Sequence, residues 1–242
     1  LEPDGVSFRS HRATDEINSE FLASEDNWSR FTMARTGPDG CLYVVDFYRL
    51  ILEHPEWIPK LMLEHLDLHA GADKGRIYRI KPADGKAHPV QRMDQMDDDG
   101  LAALVTSPNA WSRDTAHRLL VEREAKLKQM PVATTATALT QMLWAAQTLG
   151  QLPLRVLIGA MDSSDARVRA TAVRVAEFHL GQRDVLEHVC DLASDNDLRV
   201  RLQVALTLGE SDDPRMPEVL RSIARRDVGN KDMLMALLSS VP

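Results

Sequence analysis

The sequence has few of the residues from which compact redox or metal sites are built. Its 242 residues include only two cysteines, Cys41 and Cys190. Because they lie far apart, the chain contains no CxxC redox pair, no CxxCH haem-attachment motif and no cysteine-based zinc spacing. Each cysteine stands among apolar residues, which predicts an inert position in a hydrophobic core.

Other motifs of catalysis and binding are absent as well. The sequence contains no HExxH motif, no GxSxG nucleophile elbow and no glycine-rich phosphate loop. No apolar run reaches the length of a membrane-spanning helix, so we expect no membrane insertion by this segment. The formal net charge is −7, so the chain lacks the excess of basic residues that is typical of nucleic-acid-binding proteins. We therefore expect no nucleic-acid partner.

The clearest strand pattern runs from Thr36 to Arg49, TGPDGCLYVVDFYR. Its GPDG stretch has turn chemistry, because proline fixes φ, aspartate bonds its own backbone and glycine accepts positive φ. The LYVVDFY stretch that follows is aromatic and β-branched, as strands prefer. Phe31 to Thr36 supplies a hairpin partner, and GRIYRI, Gly75 to Ile80, supplies a later strand. The pattern predicts a small antiparallel sheet.

Composition divides the chain into three parts. Residues 1–82 are β-rich and carry a proline-containing insertion at 50–74. Residues 83–99 form a polar connector with three consecutive aspartates, and residues 100–242 show helical periodicity. We place the domain boundary in the connector. Because the chain begins with Leu1 and has no signal-peptide pattern, we expect a segment of a longer protein.

The helical part contains an internal repeat of 32 residues. DARVR, starting at Asp165, is echoed by DLRVR, starting at Asp197, and the apolar positions keep the same offset. These aspartates are placed to cap the following helices. Gly150, Gly181 and Gly209 stand where helices should stop. The pattern predicts an α-solenoid of about four to five helical hairpins, each burying its apolar stripe against its neighbours.

Motifs in both halves resemble known families. The copies at Asp165 and Asp197 resemble HEAT repeats, with an aspartate in the inter-helix turn and Val-Arg opening the second helix. The GPDGCLYVVD and GRIYRI strands resemble the last blade of a β-propeller of the glucose/sorbosone-dehydrogenase kind. Together with DNWSRF and EHPEWIP, the whole order is similar to the PVC-type membrane-bound dehydrogenase-like proteins. In that family a propeller precedes HEAT repeats and a cytochrome-c-like domain.

The predicted fold class is α+β, with a small antiparallel sheet followed by an α-solenoid of HEAT-like helical hairpins. The resemblance adds that the sheet is a propeller blade. It also implies oxidation of a sugar or alcohol by a quinone-type cofactor, electron transfer to haem c, and a periplasmic or cell-envelope location. The other blades and the haem motif are absent from this sequence. We therefore expect no cofactor in this segment, and the enzyme label extends to the parent protein alone.

Three residues are candidates for a catalytic site. Asp46 and Arg49 end the central strand, and His54 lies in the EHPEWIP segment. In a propeller, the loops at strand ends face the ligand. Arg49 would then clamp an anion while His54 or Asp46 transfers a proton. The alternative is that Asp46 and Arg49 pair locally and the segment packs through Trp57.

Two further clusters have both a functional and a structural interpretation. His65 and His69 would share a helix face and bind a metal if a helix continued that far, but a solvated polar face is the simpler interpretation. A repeated arginine ladder either forms an interaction surface for an acidic partner or pairs with the turn aspartates of its own or an adjacent repeat. The regular register favours the second interpretation. The ladder consists of Arg167, Arg169, Arg199 and Arg201.

Two functions follow from these patterns. The first is a scaffold or interaction module, which holds a propeller against other domains of the parent chain or against a protein partner. The second is a catalytic contribution, in which the loop from Asp46 to Trp57 completes a dehydrogenase site together with upstream blades. Because the sequence shows no complete catalytic set, we favour the scaffold.

Overall fold

The chain folds into two compact units. The computed structural model describes residues 2–52, 54–83 and 85–240. The sheet unit comprises residues 12–92 together with 109–111. The helical unit comprises residues 1–11, 93–108 and 112–242.

All strands in the described residues are antiparallel. They are β1 (Glu2–Asp4), β2 (Ser7–Arg9), β3 (Phe31–Thr36), β4 (Leu42–Asp46) and β5 (Arg76–Ile80). The first two pair with each other in the helical unit, and the other three form one sheet in the order β3-β4-β5. The predicted small antiparallel sheet is confirmed.

The central strand β4 carries the buried side of the sheet. Val44 pairs with Ala34 on β3 and with Tyr78 on β5, and its side chain is buried. Cys41, just before β4, is buried as well, as its apolar surroundings predict. The β3–β4 register shifts between Phe31 and Met33, where β3 has an irregularity. The outer strands are much less buried, since every residue of β3 is exposed and no residue of β5 is fully buried.

The GPDG turn before β4 is held by the Asp39 carboxylate. It accepts hydrogen bonds from the backbone N–H of Cys41 at 3.1 Å and from the Tyr43 hydroxyl at 3.1 Å. It also pairs with Arg79 on β5 at 2.5 Å. Burial would raise the pKa of Asp39, but these donors outweigh it and lower the pKa. One turn residue thus ties the hairpin to the third strand.

The insertion between β4 and β5 contains little regular structure. It includes a 3₁₀ turn at Pro55–Trp57 and one short helix, α1 (Lys60–Leu63). The other 3₁₀ turns in the described residues are Thr14–Glu16, Met93–Gln95, Glu177–His179 and Leu192–Ser194.

Nine longer helices follow in the described part of the chain. They are α2 (Asp98–Leu104), α3 (Ala110–Glu122), α4 (Ala136–Thr148), α5 (Leu154–Met161), α6 (Ala166–Ala176), α7 (Arg183–Asp191), α8 (Leu198–Leu208), α9 (Met216–Asp227) and α10 (Lys231–Ser239). None of these described helices combines the length and the apolar character that crossing a bilayer requires.

The last six helices form three consecutive hairpins. Within each hairpin the first helix packs on the second, in the pairs α5 with α6, α7 with α8, and α9 with α10. The second helices also pack on one another, so that α4, α6, α8 and α10 form a row, which we call the second-helix row. The predicted solenoid of stacked hairpins is confirmed, and with it the α+β fold class.

Local sequence explains where these helices begin. Asp165 and Asp197 cap α6 and α8, each accepting a hydrogen bond from the backbone N–H two residues later. The Asp165 carboxylate lies 2.8 Å from the backbone nitrogen of Arg167, and the Asp197 carboxylate lies 2.8 Å from that of Arg199. These caps satisfy backbone donors that a helix start leaves free. The predicted caps are confirmed.

Cys190 packs against the hydrophobic core, although it is less buried than predicted. It lies on α7 and is only half-buried, because the turn of the helix that carries it is partly open to solvent. Partial burial still raises the pKa of its thiol, so the thiol remains protonated near neutral pH.

Two glycines near helix ends have different physical roles. Gly150 follows α4 with φ of +65°, a left-handed conformation that favours glycine at a helix end. Gly209 ends α8 with φ of −62°, so its backbone conformation does not require glycine. Instead, a Cβ atom on Gly209 would lie 2.6 Å from Cβ and 2.9 Å from Cα of Ser240. Gly209 therefore permits the close approach of the last hairpin.

We expect Gly209→Ala to lower the free energy of unfolding of the helical unit by about 1–3 kcal/mol, since the backbone at Ser240 must move. Gly159→Ala is the matched control. Gly159 lies inside α5, and its added Cβ would meet nothing within 4 Å. This control should stabilise the helical unit by up to about 1 kcal/mol, the helix-propensity difference. Urea unfolding followed by helical circular dichroism measures both, and equal effects of the two substitutions would contradict the close-approach explanation.

Candidate functional site

Asp46 is a buried structural carboxylate at the end of β4. It is 1% exposed and accepts hydrogen bonds from the Ser29 hydroxyl at 2.7 Å and from the backbone N–H groups of Arg30 and Tyr48 at 2.7 and 3.0 Å. Burial would raise the pKa of Asp46, but these donors outweigh it and lower the pKa. A carboxylate with a lowered pKa and fully used oxygens is a poor general base.

Arg49 holds the end of the insertion through backbone carbonyls. Its Nη1 donates to the carbonyl oxygens of Lys74 at 2.9 Å and of Gly71, and its Nη2 donates to that of Ala72 at 3.3 Å. The guanidinium also lies 4.5 Å from the centre of the Phe47 ring. Because its donors are engaged within the fold, Arg49 is not presented as a clamp for an anion.

The backbone between Asp46 and Arg49 is in an uncommon conformation. Tyr48 has φ of 52°, and Gly71, packed against it, has φ of 87°. A Cβ atom on Gly71 would lie 2.7 Å from the Tyr48 carbonyl oxygen, so only glycine fits there. The hydrogen bonds of Asp46 and Arg49 hold this conformation in place. Asp46 and Arg49, which the sequence presented as catalytic candidates, therefore stabilise the backbone conformation at Tyr48.

A cluster of aromatic and charged side chains surrounds Tyr48, and sequence reasoning missed it. The Arg76 guanidinium lies 3.8 Å from the centre of the Tyr48 ring, and Trp28 lies 5.8 Å from the same ring. The Tyr48 hydroxyl donates to Asp26 at 2.9 Å. This hydrogen bond raises the pKa of Tyr48. The pKa of Asp26 is lowered, mainly by a hydrogen bond from the backbone N–H of Trp28 and next by the one from the Tyr48 hydroxyl. Both pKa values are shifted away from neutral pH, so the cluster is suited to packing and not to proton transfer.

His54 lies apart from the other two candidates. It is exposed, and its Nδ1 accepts a hydrogen bond of 3.4 Å from the backbone N–H of Glu56, capping the 3₁₀ turn. Within the described residues, no hydrogen bond or ion pair joins Asp46, Arg49 and His54. The expectation that Asp46 and Arg49 pair with each other is therefore wrong, because each bonds backbone groups. Packing through Trp57 is also not found, since its side chain is 82% exposed.

The two metal-ligand candidates do not share a helix. Helix α1 ends at Leu63, before His65 and His69. The backbone N–H of His69 instead bonds the side chain of Asp67 at 2.9 Å in a turn. Among the residues that the structure describes, no group of three or more His, Cys, Asp or Glu side chains is arranged to hold a metal ion.

Two arginines of the ladder connect one hairpin to the next. Arg169 on α6 pairs with Asp195 in the turn before α8, at 2.7 and 2.8 Å. Arg201 on α8 pairs with Asp227 at the end of α9, at 2.7 and 2.6 Å. Both pairs are largely buried, and Arg201 is 5% exposed. We call these two pairs the inter-hairpin pairs.

Each inter-hairpin arginine also fixes the turn before its own helix. Nη1 of Arg169 donates to the carbonyl oxygen of Ser163 at 2.8 Å, and Nη1 of Arg201 donates to that of Asp195 at 2.7 Å. Burial would raise the pKa of Asp195, but the hydrogen bonds from Arg169 and from the backbone N–H of Asp197 outweigh it and lower the pKa. Each arginine thus joins the turn before its own helix to the following hairpin and is not available to a partner.

The other two arginines of the ladder remain at the surface. Arg167 pairs with Asp165 at 2.6 Å, and Arg199 pairs with Asp197 at 2.8 Å, each within its own turn. The Arg167 side chain is 69% exposed and the Arg199 side chain 31%. The hydrogen bonds from the Arg167 side chain and backbone lower the pKa of Asp165 to about 2. The predicted interaction surface therefore divides, and only Arg167 and Arg199 lie where a partner could reach them.

Arg113, on α3, bonds the turn before its own helix as Arg169 and Arg201 do, but its Nε forms no ion pair with any residue that the structure describes. Nη1 of Arg113 donates to the carbonyl oxygens of Ser107 and Pro108 at 2.8 and 3.0 Å, as its later counterparts do in their own turns. Its buried Nε has no hydrogen-bond partner in the described residues. Position 139, 26 residues after Arg113, is a leucine inside α4, whereas Asp195 and Asp227 stand 26 residues after Arg169 and Arg201. The inter-hairpin pairs therefore form where an aspartate stands 26 residues after the arginine.

Two protein families match separate parts of the chain. Residues 1–84 match a domain of unknown function, DUF7133, and residues 154–237 match HEAT repeats. The prediction of HEAT-like repeats is confirmed for the second range. HEAT repeats form helical interaction or scaffold modules with extended binding surfaces. No curated protein and no solved structure matches the sequence significantly.

Proposed function

We propose that this chain is a scaffold and interaction module of a larger dehydrogenase-like protein and is not catalytic by itself. The observation that carries the proposal is the pair of buried links Arg169–Asp195 and Arg201–Asp227, which couple successive hairpins. A buried charge without its partner is strongly unfavourable, so the hairpins stack in one defined arrangement. Fixed spacing between hairpins is what a scaffold requires.

The state of the catalytic candidates supports the same proposal. Asp46 and Arg49 form hydrogen bonds with backbone groups of the fold. His54 is exposed and touches its own turn. Reactive groups in enzymes converge on one point, and these three do not.

The larger parent remains a proposal that rests on motif order. In this proposal residues 1–82 form the terminal propeller blade, residues 83–99 the connector, and residues 100–242 the HEAT-like domain. The outer edges of β3 and β5 pair with no further strand in the described residues. Open edges of this kind are normally covered, and other blades of the same protein would cover them. Any quinone-type cofactor and haem c would then belong to other domains of the parent.

His54→Ala in the intact parent protein tests the proposal, because this exposed side chain has a single contact within its own loop. We expect unchanged dye reduction with sugar or alcohol substrates and unchanged thermal unfolding. Ile58→Ala, a partly buried neighbour in the same segment, serves as a packing control. Loss of dye reduction in His54→Ala with an unchanged melting temperature would contradict the scaffold proposal and favour a catalytic loop.

A further inference from the structure

The exposed side of the second-helix row becomes increasingly apolar towards α10. Positions 32 residues apart in the repeat occupy equivalent places on α6, α8 and α10. The equivalent sets are Ala170, Leu202 and Leu234; Thr171, Gln203 and Met235; and Arg174, Leu206 and Leu238. The exposed fraction rises to 40% for Leu206, 51% for Leu234, 70% for Met235 and 69% for Leu238.

These side chains are additional to the core of the helical unit. On α10, Met233, Ala236 and Leu237 already supply the buried side of the helix. The same helix then places Leu234 and Leu238 one turn apart on its exposed side. A contiguous exposed apolar patch of this kind is typical of a binding surface. We call the exposed set Leu206, Leu234, Met235 and Leu238 the apolar strip.

A row of cations runs beside the apolar strip. Arg167, Arg199 and Lys231 are equivalent positions at the start of α6, α8 and α10. Arg167 and Arg199 use Nε and Nη2 for their own turn aspartates, and Nη1 of each has no partner within the described residues. Lys231 is exposed and forms no ion pair with any described residue. Donors therefore remain for carboxylates of a partner.

In the same row, α4, α6 and the 3₁₀ turn after α6 carry an aromatic and cationic contact. Trp144 and Phe178 meet edge to face, with ring centres 6.4 Å apart, and Phe178 is 63% exposed. The Arg174 guanidinium lies 5.8 Å from the centre of the Trp144 ring and, within the described residues, has no carboxylate partner. Arg174 and Lys231 are thus cations of this side without an ion-pair partner among the described residues, whereas Arg167 and Arg199 are paired with aspartates of their own turns.

We propose that the exposed side of the second-helix row binds a protein segment with acidic side chains along one edge and apolar side chains along the other. The inference rests on the proposed scaffold function and names the chemistry of its partner. The apolar edge would cover Leu206, Leu234 and Leu238, and the acidic edge would meet Arg167, Arg199 and Lys231. Charge complementarity selects this occupant, because a basic segment would face the same cations without compensation.

The probe is a labelled helical peptide designed to this pattern. Four helices at 8–10 Å spacing span about 25–30 Å, which a helix of about 18 residues crosses. The first peptide carries leucines at helical spacing and glutamates on the adjoining side, and the second replaces every glutamate by lysine. Fluorescence anisotropy with the full chain should show binding of the glutamate peptide at least about tenfold tighter than that of the lysine peptide, with the difference reduced by salt.

Two variants locate the binding site. Leu206→Gln combined with Leu238→Gln should weaken binding of the glutamate peptide at least about tenfold. Val228→Gln is the matched control, because Val228 is 80% exposed but lies just after α9, outside the row. It should leave binding unchanged. Arg174→Glu combined with Lys231→Glu should reverse the preference between the two peptides.

Equal binding of the two peptides, or equal loss in Val228→Gln and the leucine variants, would overturn the proposal. So would a dimer in sedimentation that the leucine variants dissociate, because a second copy of the chain would then occupy the strip. Each of these three results would leave the scaffold function standing, since that function is tested separately by His54→Ala.

Discussion

Arg201→Ala is expected to lower the free energy of unfolding of the helical unit by about 3–5 kcal/mol, because removing one partner of a buried ion pair leaves the other charge uncompensated. Arg201 is 5% exposed, and its guanidinium bonds both carboxylate oxygens of Asp227. It also donates to the carbonyl oxygens of Asp195 and Asn196 at 2.7 and 3.2 Å. The substitution therefore loosens the turn before α8 as well as its link to α9. Urea unfolding followed by helical circular dichroism measures the change.

Arg199→Ala is the control for Arg201→Ala, since it removes an arginine two residues away. The Arg199 side chain is 31% exposed and pairs within its own turn. A partly exposed pair of this kind contributes about 0.2–1 kcal/mol. Arg201→Met combined with Asp227→Leu should recover most of the lost stability, because apolar replacement of both partners removes the uncompensated charge. Similar losses in Arg199→Ala and Arg201→Ala would contradict the structural distinction between them.

Asp46→Ala is expected to destabilise the sheet unit by about 2–5 kcal/mol, because buried donors lose their acceptor. The donors are the Ser29 hydroxyl and the backbone N–H groups of Arg30 and Tyr48. Loss of these bonds also releases the uncommon backbone conformation at Tyr48. Hydrogen exchange of peptides from residues 28–48 should accelerate, while exchange in the helical unit should stay unchanged. A stable variant with normal exchange in this range would show that Asp46 is not structural.

The effect of Asp46 also has a defined pH dependence. Its pKa in the folded chain is lower than the ordinary value of an aspartate, because donors to the carboxylate outweigh its burial. The carboxylate therefore contributes its full stability above that ordinary value, and the contribution is lost as the pH falls through the lower folded pKa. Protection from exchange in residues 28–48 of the unsubstituted chain, taken relative to the intrinsic amide rate at each pH, should fall on acidification below about pH 4, near the ordinary value. Asp46→Ala should show a weaker dependence over the same interval.

The parts of the fold that depend on local chemistry could be predicted from the sequence. The GPDG turn, the strand after it and GRIYRI each carry turn residues or β-branched and aromatic residues in sequence. The helix caps at Asp165 and Asp197 depend on a backbone N–H two residues away. The 32-residue offset fixed which helices are equivalent. In each case the interacting groups are close in the chain.

The roles of the candidate site residues depend on distant groups and could not be predicted. Arg49 bonds carbonyl oxygens more than 20 residues later, and backbone carbonyls leave no mark in a sequence. The ladder register predicted pairing of arginines with turn aspartates, but Asp227, the partner of Arg201, lies at the end of a helix. The division of the ladder into buried and exposed arginines depends on helix packing, which a repeat pattern does not specify.

Hydrogen exchange of Arg169→Ala tests the central claim that the ladder couples successive hairpins. Arg169 lies on α6, and its partner Asp195 lies 26 residues later, in the turn before α8. We predict faster exchange both in α6 and in residues 192–198, because one guanidinium supports both turns. Arg167→Ala, which removes an arginine paired within its own turn, should affect the start of α6 alone. Acceleration confined to α6 in Arg169→Ala would contradict the claim.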